Sequence, residues 1–278
     1  MELLNQDVIN LVLLMLGAGA LAGLAAGLFG IGGGLVVVPA LMMFFPMLGL
    51  DEAHVFRSSI GTSLATIIFT SLRSAQAHAK KKAIDYSIIK NWTVFLIIGS
   101  ILGAVFAASL KVKVLMILFA SFIFILSFKF MFPEALQKIK LGTTMPKGFT
   151  HGFLGVFLGA CSALFGIGGG SISIMIMTLY GVSIHTAIGT ASGLAVPIAL
   201  AASIGFIITG LEHQSELAYA SLGYVNLIGL VFIVLASFFT APLGAALAHK
   251  LNPMTMKKIF GVYLLFTSLN ILRKALLI

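Results

Sequence analysis

Two glycine clusters offer the clearest chemistry in this chain. Leu28-Phe29-Gly30-Ile31-Gly32-Gly33-Gly34 recurs almost unchanged as Leu164-Phe165-Gly166-Ile167-Gly168-Gly169-Gly170. Each cluster interrupts an apolar stretch and is followed by a short apolar run, Leu35–Gly49 or Ser171–Gly181. Neither run reaches the ~20 residues of a bilayer-spanning helix. A helix that begins after Gly34 or Gly170 presents unpaired N–H groups and the positive end of its dipole, which attract an anion without any formal charge. Glycines also let membrane helices pack closely, but duplication at matching positions favours a site. The spacing G-x-G-G-G lacks the third glycine of a dinucleotide fingerprint, and no βαβ context surrounds it. The candidate binding residues are therefore Gly30, Gly32, Gly33, Gly34, Gly166, Gly168, Gly169 and Gly170, with Ser171 directly after the second cluster.

Hydroxyls add possible donors. Thr62 and Ser63 open the third apolar segment, and Thr190 and Ser192 stand at the matching place in the second half. Membrane hydroxyls also bond to their own helix backbone, so Thr62 and Thr190, which match across the repeat, are the stronger pair. His54, Arg57, His78 and His185 are candidates for gating or proton coupling. Arg57 can equally snorkel at an interface. His78 with Lys80–Lys82 both orients the chain and forms a funnel for anions. Asn226 reads as interhelical glue, and Pro197 and Pro242 as kinks. A single cysteine, Cys161, excludes an internal disulfide. With no H-E-x-x-H and no G-x-S-x-G, neither metal, cofactor nor enzymatic activity is expected. Asp51, Glu52, Asp85, Glu134, Glu212 and Glu216 all fall in loops or at segment ends, so the buried carboxylate that usually carries a proton or sodium is missing.

The elements that must position these residues are membrane helices. The chain is 60% hydrophobic and 9% charged over 278 residues, with mean hydropathy +1.14. A soluble domain of this size carries about 25% charged residues. Ten apolar segments are read: Val8–Phe29, Leu35–Gly49, Ser59–Leu72, Asn91–Leu110, Val114–Phe132, Phe149–Phe165, Ser171–Gly181, Thr186–Gly210, Leu222–Ala248 and Lys257–Ile278. The fold class expected is an all-α polytopic membrane protein with broken helices at the glycine clusters. Residues 1–132 form one repeat and 149–278 the other, joined by a cytoplasmic linker at 133–148. Further anchors keep the same order in both halves: Ile60-Gly61-Thr62 with Ile188-Gly189-Thr190, Ile84-Asp85-Tyr86 with Leu222-Gly223-Tyr224, and Leu102-Gly103-Ala104 with Leu243-Gly244-Ala245.

Five segments per half is an odd number, so the second half enters from the opposite side, as in the inverted repeats of secondary transporters. Alternating the segments puts twelve of the 17 Lys and Arg on one side and five on the other. The richer side, with Arg73–Lys90, is cytoplasmic by the positive-inside rule, which puts both termini outside. The net charge of +9 thus reflects topology rather than nucleic acid. No cleavable signal is expected, since Glu2 and Asp7 replace the basic start of a signal peptide. The partners expected are a small anion and the lipid bilayer, and a homodimer is permitted.

The duplicated Phe-Gly-Ile-Gly-Gly-Gly, Gly61-Thr62-Ser63-Leu64, Ala77-His78 with its following lysines, Ile84-Asp85-Tyr86, Ser221-Leu222-Gly223-Tyr224-Val225 and Ala241-Pro242-Leu243-Gly244-Ala245 resemble the TauE/SafE family of sulfite and organosulfonate exporters. The resemblance spans nearly the whole chain. It implies a permease of the bacterial inner membrane for small sulfur-containing anions. The Arg57-containing interval from His54 to Gly61 and the dense run Lys80–Lys82 depart from the family pattern. A membrane-embedded assembly factor in sulfur handling, without transport of its own, is the alternative.

Overall fold

A computed structural model describes residues 2–132, 141–248, 250 and 253–277. Half of the expected linker, 133–140, lies outside them, Glu134 included. The described residues form ten α-helices: α1 (Glu2–Phe29), α2 (Gly34–Phe44), α3 (Glu52–Lys80), α4 (Tyr86–Ser109), α5 (Val112–Met131), α6 (Gly148–Phe165), α7 (Gly170–Leu179), α8 (Ile184–Gly210), α9 (Leu227–Leu247) and α10 (Pro253–Leu277). Eight are long and apolar enough to cross a membrane. The exceptions are α2 and α7, with 11 and 10 residues. At 1.5 Å per residue these are roughly 15–17 Å long, about half of a ~30 Å hydrocarbon core.

The distribution of side chains is that of a protein dissolved in lipid. Leu13, Ile125, Phe239 and Phe266 are exposed on the outside, while Ser58, Ser59, Thr62, Ser63, Thr66, Thr70, Ser71 and Ser74 of α3 are buried. This explains why α3 runs well beyond the expected Ser59–Leu72. His54 and Ser58 towards one end and Ser74 and His78 towards the other are buried against protein, so the helix continues where hydropathy falls. Asp51 caps its start by accepting from Ala53 N (2.8 Å).

The halves interlock reciprocally. The main contacts are α1 with α9, α4 with α6, α3 with α8 and α5 with α10. Exchanging the halves converts the first pair into the second and leaves the other two unchanged. Glycines set the directions. Along α1, Gly19, Gly23 and Gly27 lie against Ile233, Ser237 and Ala241, and along α4, Gly99 and Gly103 lie against Val156 and Ala160. These two pairs run parallel. On α3, Gly61 packs on Tyr224 and Phe206 near the end of α8, whereas Gly189 at the start of α8 packs on His78 and Ala83 at the end of α3. The equivalent helices α3 and α8 are therefore antiparallel.

One alignment anchor shifts. A short antiparallel hairpin pairs Ser221–Leu222 with Val225–Asn226 ahead of α9. The N-cap of α9 is Asn226, whose Oδ1 accepts from Gly229 N (2.9 Å). The N-cap of α4 is Asp85, which accepts from Ser87 N and Ile88 N. Asp85 thus corresponds to Asn226 rather than to Gly223, and the hairpin is an insertion peculiar to the second half. Asn226 is a cap, not interhelical glue.

Candidate functional site

The two glycine clusters meet at the level of the middle of α3. Gly34 lies against the backbone of Gly166 and Ile167, and Gly170 against that of Gly30 and Ile31. The φ angles of Gly30, Gly32 and Gly33 are 65°, 73° and 85°, and those of Gly166, Gly168 and Gly169 are 62°, 63° and 74°. This left-handed backbone favours glycine and turns α1 and α6 sharply into the short helices. Gly33 and Gly169 are the N-caps of α2 and α7, and neither helix start receives a side-chain cap. Both clusters are buried. The two positive helix ends are thus brought close to each other.

The side chains that hold the clusters come mainly from α3. Ser63 Oγ donates to Gly166 O (2.9 Å) and Thr70 Oγ1 to Gly32 O (2.9 Å). Ile67, on the same face, reaches both Gly32 and Gly168. Its counterpart in α8 is Ala195, next to Ile67 in a small apolar cluster with Ala199. One helix therefore clamps and plugs both clusters, and the other only lines them. Two buried hydroxyls at the clusters, Ser71 Oγ and Ser171 Oγ, have no hydrogen-bond partner. Unpaired buried hydroxyls are uncommon enough to call for a ligand or a moving partner. Lys129, in the last turn of α5, donates to Ser171 O (3.1 Å) and so brings an amine to the start of α7.

Sequence reasoning missed Thr70, Ser71 and Lys129. A signal for Thr70 was present: Ser59, Ser63, Thr66, Thr70 and Ser74 recur every three or four residues, one stripe of a helix. Lys129 was counted only as a cytoplasmic charge at a segment end.

The threonines stand elsewhere. Thr190 Oγ1 accepts from Asp85 N, and Thr62 Oγ1 from Asn226 N, each at 2.9 Å. Each half thereby secures the start of the fourth helix of the other. Thr190→Val should cost about 1 kcal/mol, the net contribution of a hydrogen bond to a partly buried N–H, while Thr190→Ser should retain most of the stability. Thermal melting of the detergent-solubilised protein checks this, and an unchanged melting temperature in Thr190→Val would refute it. Ser192 Oγ pairs with Ser74 Oγ (3.0 Å) and with Ile188 O (3.1 Å).

The candidate gating residues do not converge. His78 is buried and donates from Nε2 to Gly27 O (3.2 Å), with Lys80, Lys81 and Lys82 exposed beyond it. His185 is exposed in the first turn of α8. At the start of α3, His54 donates from Nε2 to Glu216 Oε2 (2.7 Å) and Arg57 from Nη2 to Leu110 O (2.7 Å). Tyr224 lies beside them. Burial holds its phenol above the usual range, opposed by the Arg57 charge, so it remains a neutral hydroxyl.

A family profile described as sulfite exporter TauE/SafE matches residues 15–271. The chain belongs to the TauE/SafE family. A probable membrane transporter protein of Haemophilus influenzae is 32% identical over 263 residues, covering 95% of this chain and 98% of the relative. Another, from Methanocaldococcus jannaschii, is 28% identical and covers 95% and 97%. A third, YunE of Bacillus subtilis, is 27% identical and covers 89% and 92%. No solved structure matches the chain significantly. The family match covers both glycine clusters and all or most of each of the eight membrane-length helices, so this TauE/SafE member is a multi-pass membrane protein.

Proposed function

We propose that this chain is a secondary transporter that exports small sulfur-containing anions, sulfite or organosulfonates, across the bacterial inner membrane by alternating access. One observation carries the reading: two helix starts without side-chain caps meet beside the middle of α3, with the unpaired hydroxyls of Ser71 and Ser171 and the side-chain amine of Lys129 around them. Such a centre offers N–H and O–H donors and the positive ends of two helix dipoles to a small anion. The relatives' names support transport, and the family's description supports the substrate class.

The halves act as inverted repeats in this proposal, and the antiparallel packing of α3 against α8 supports it. Rocking one half against the other would expose the centre alternately, with Ile67 withdrawing from between the clusters. Flux of radiolabelled sulfite, taurine and sulfate in proteoliposomes tests the reading. Uptake of none of them would favour a membrane-embedded assembly role.

The orientation makes its own prediction. A cysteine at Lys81, in a Cys161→Ser background, should react only with reagents that reach the cytoplasm, and a reporter fused after Ile278 should read as external. A cytoplasmic readout at Ile278 would contradict the inverted arrangement.

A further inference from the structure

We infer that His54, His213 and Glu216 form a binding site for a transition-metal dication, with Zn²⁺ the best match, at the joint between α3 and the 3₁₀ turn that follows α8. One ligand atom from each residue lies within 4.8 Å of the other two. Glu216 Oε2 is 2.7 Å from His54 Nε2 and 3.7 Å from His213 Nδ1, and the imidazole rings are 5.0 Å apart. In a tetrahedral zinc site, bonds of about 2.0–2.2 Å place ligand atoms roughly 3.3 Å apart. The observed spacings straddle that value.

The exposure of two of the three groups suits the adjustment. His54 is buried in the first turn of α3 and fixed by the stacked ring of Tyr224 (6.1 Å). Glu216 and His213 are open to solvent, on the turn Leu211–Glu216, and can close by a few tenths of an ångström to about 1.5 Å. Two imidazoles and one carboxylate are a recurrent zinc donor set, and the open side leaves the fourth position to water. Charge permits it as well: Glu212 and Glu216 offset Arg57 around Tyr224.

His54 now donates from Nε2 to Glu216. Metal binding at Nε2 requires the neutral tautomer with its proton on Nδ1, an atom that is buried without a hydrogen-bond partner. The metal replaces the Nε2 proton as the link to the carboxylate. It would tie the start of α3 to the end of α8, the two antiparallel helices at the heart of the molecule.

The test is equilibrium competition of chelator-stripped, detergent-solubilised protein with a chromophoric zinc indicator, followed by thermal melting with and without Zn²⁺. The expected result is one equivalent bound at micromolar Kd or tighter, a rise in melting temperature on adding Zn²⁺, and no response to Mg²⁺. His213→Gln and Glu216→Gln, both at solvent-open positions, should each weaken binding at least tenfold and abolish the thermal shift, while His185→Gln changes neither. No binding by the wild-type protein, or undiminished binding by both His213→Gln and Glu216→Gln, would overturn the assignment and leave a His–Glu hydrogen-bonded pair. Neither readout depends on transport, so the result stands apart from the fate of the exporter proposal.

Discussion

Gly34→Val and Gly170→Val should each abolish anion flux, by at least a hundredfold, and lower the thermal stability of the purified protein. A Cβ at Gly34 would enter the backbone of Gly166–Ile167, and one at Gly170 that of Gly30–Ile31. Backbone cannot swing aside as a long side chain can, so the two clusters must separate. Separation disrupts both positive helix ends at once and also breaks the clamp from Ser63 to Gly166 O. Gly17→Ala is the control. No atom lies within 4 Å of its would-be Cβ, and exchanging glycine for alanine inside a helix favours folding by about 0.5–1 kcal/mol. Flux in Gly17→Ala should stay within twofold of wild type. Proteoliposome flux normalised to reconstituted protein, with melting in parallel, reads both effects. Full flux from a well-folded Gly34→Val protein would remove the glycine junction from the mechanism.

The second large effect concerns energy coupling. A membrane potential alone, negative inside, should drive anion release from proteoliposomes, with no proton or sodium gradient. At about 2.3 kcal/mol per charge per 100 mV, a monovalent anion should approach a roughly 50-fold outside-to-inside ratio at 100 mV. Collapsing the potential with an ionophore should remove that driving force. Among the described residues, Asp51, Glu52, Asp85, Glu212 and Glu216 stay at helix ends or in connections, and helix dipoles attract negative charge without carrying a titratable proton. Release at clamped potential, with pH and sodium equal on both sides, is the measurement. Potential-independent release that follows an imposed pH gradient would show proton coupling instead, with His54, His78 and His185 the first residues to replace.

Much of the architecture was legible because lipid imposes strong rules on sequence. Apolar length marked ten segments where ten helices stand among the described residues, and the repeated Gly-Ile-Gly-Gly-Gly marked both breaks. What was not legible followed from burial inside protein. Hydropathy cannot see that His54, Ser58, Ser74 and His78 face neighbouring helices, so α3 looked half its true length. The roles of Thr62 and Thr190 were hidden because their partners, Asn226 N and Asp85 N, are backbone atoms remote in sequence. Lys129 looked like an interfacial charge because nothing local tells that its amine meets Ser171 O. The repeat alignment slipped at Asp85 because a hairpin in one half displaced the corresponding cap.

The exchanged threonine bonds also bear on the order in which the chain is made. When the first five helices have left the ribosome, the backbone N–H of Asp85 has no Thr190 to meet, α4 has no α6 to pack on and α1 has no α9. The inner glycine faces of those helices, Gly19, Gly23, Gly27, Gly99 and Gly103, still touch lipid or each other at that stage. Assembly of the first half therefore waits on synthesis of the second, and residues 1–132 expressed alone have no complete structure to reach. Supplied together as two separate polypeptides, the halves retain every one of these contacts, because none of them depends on the covalent link.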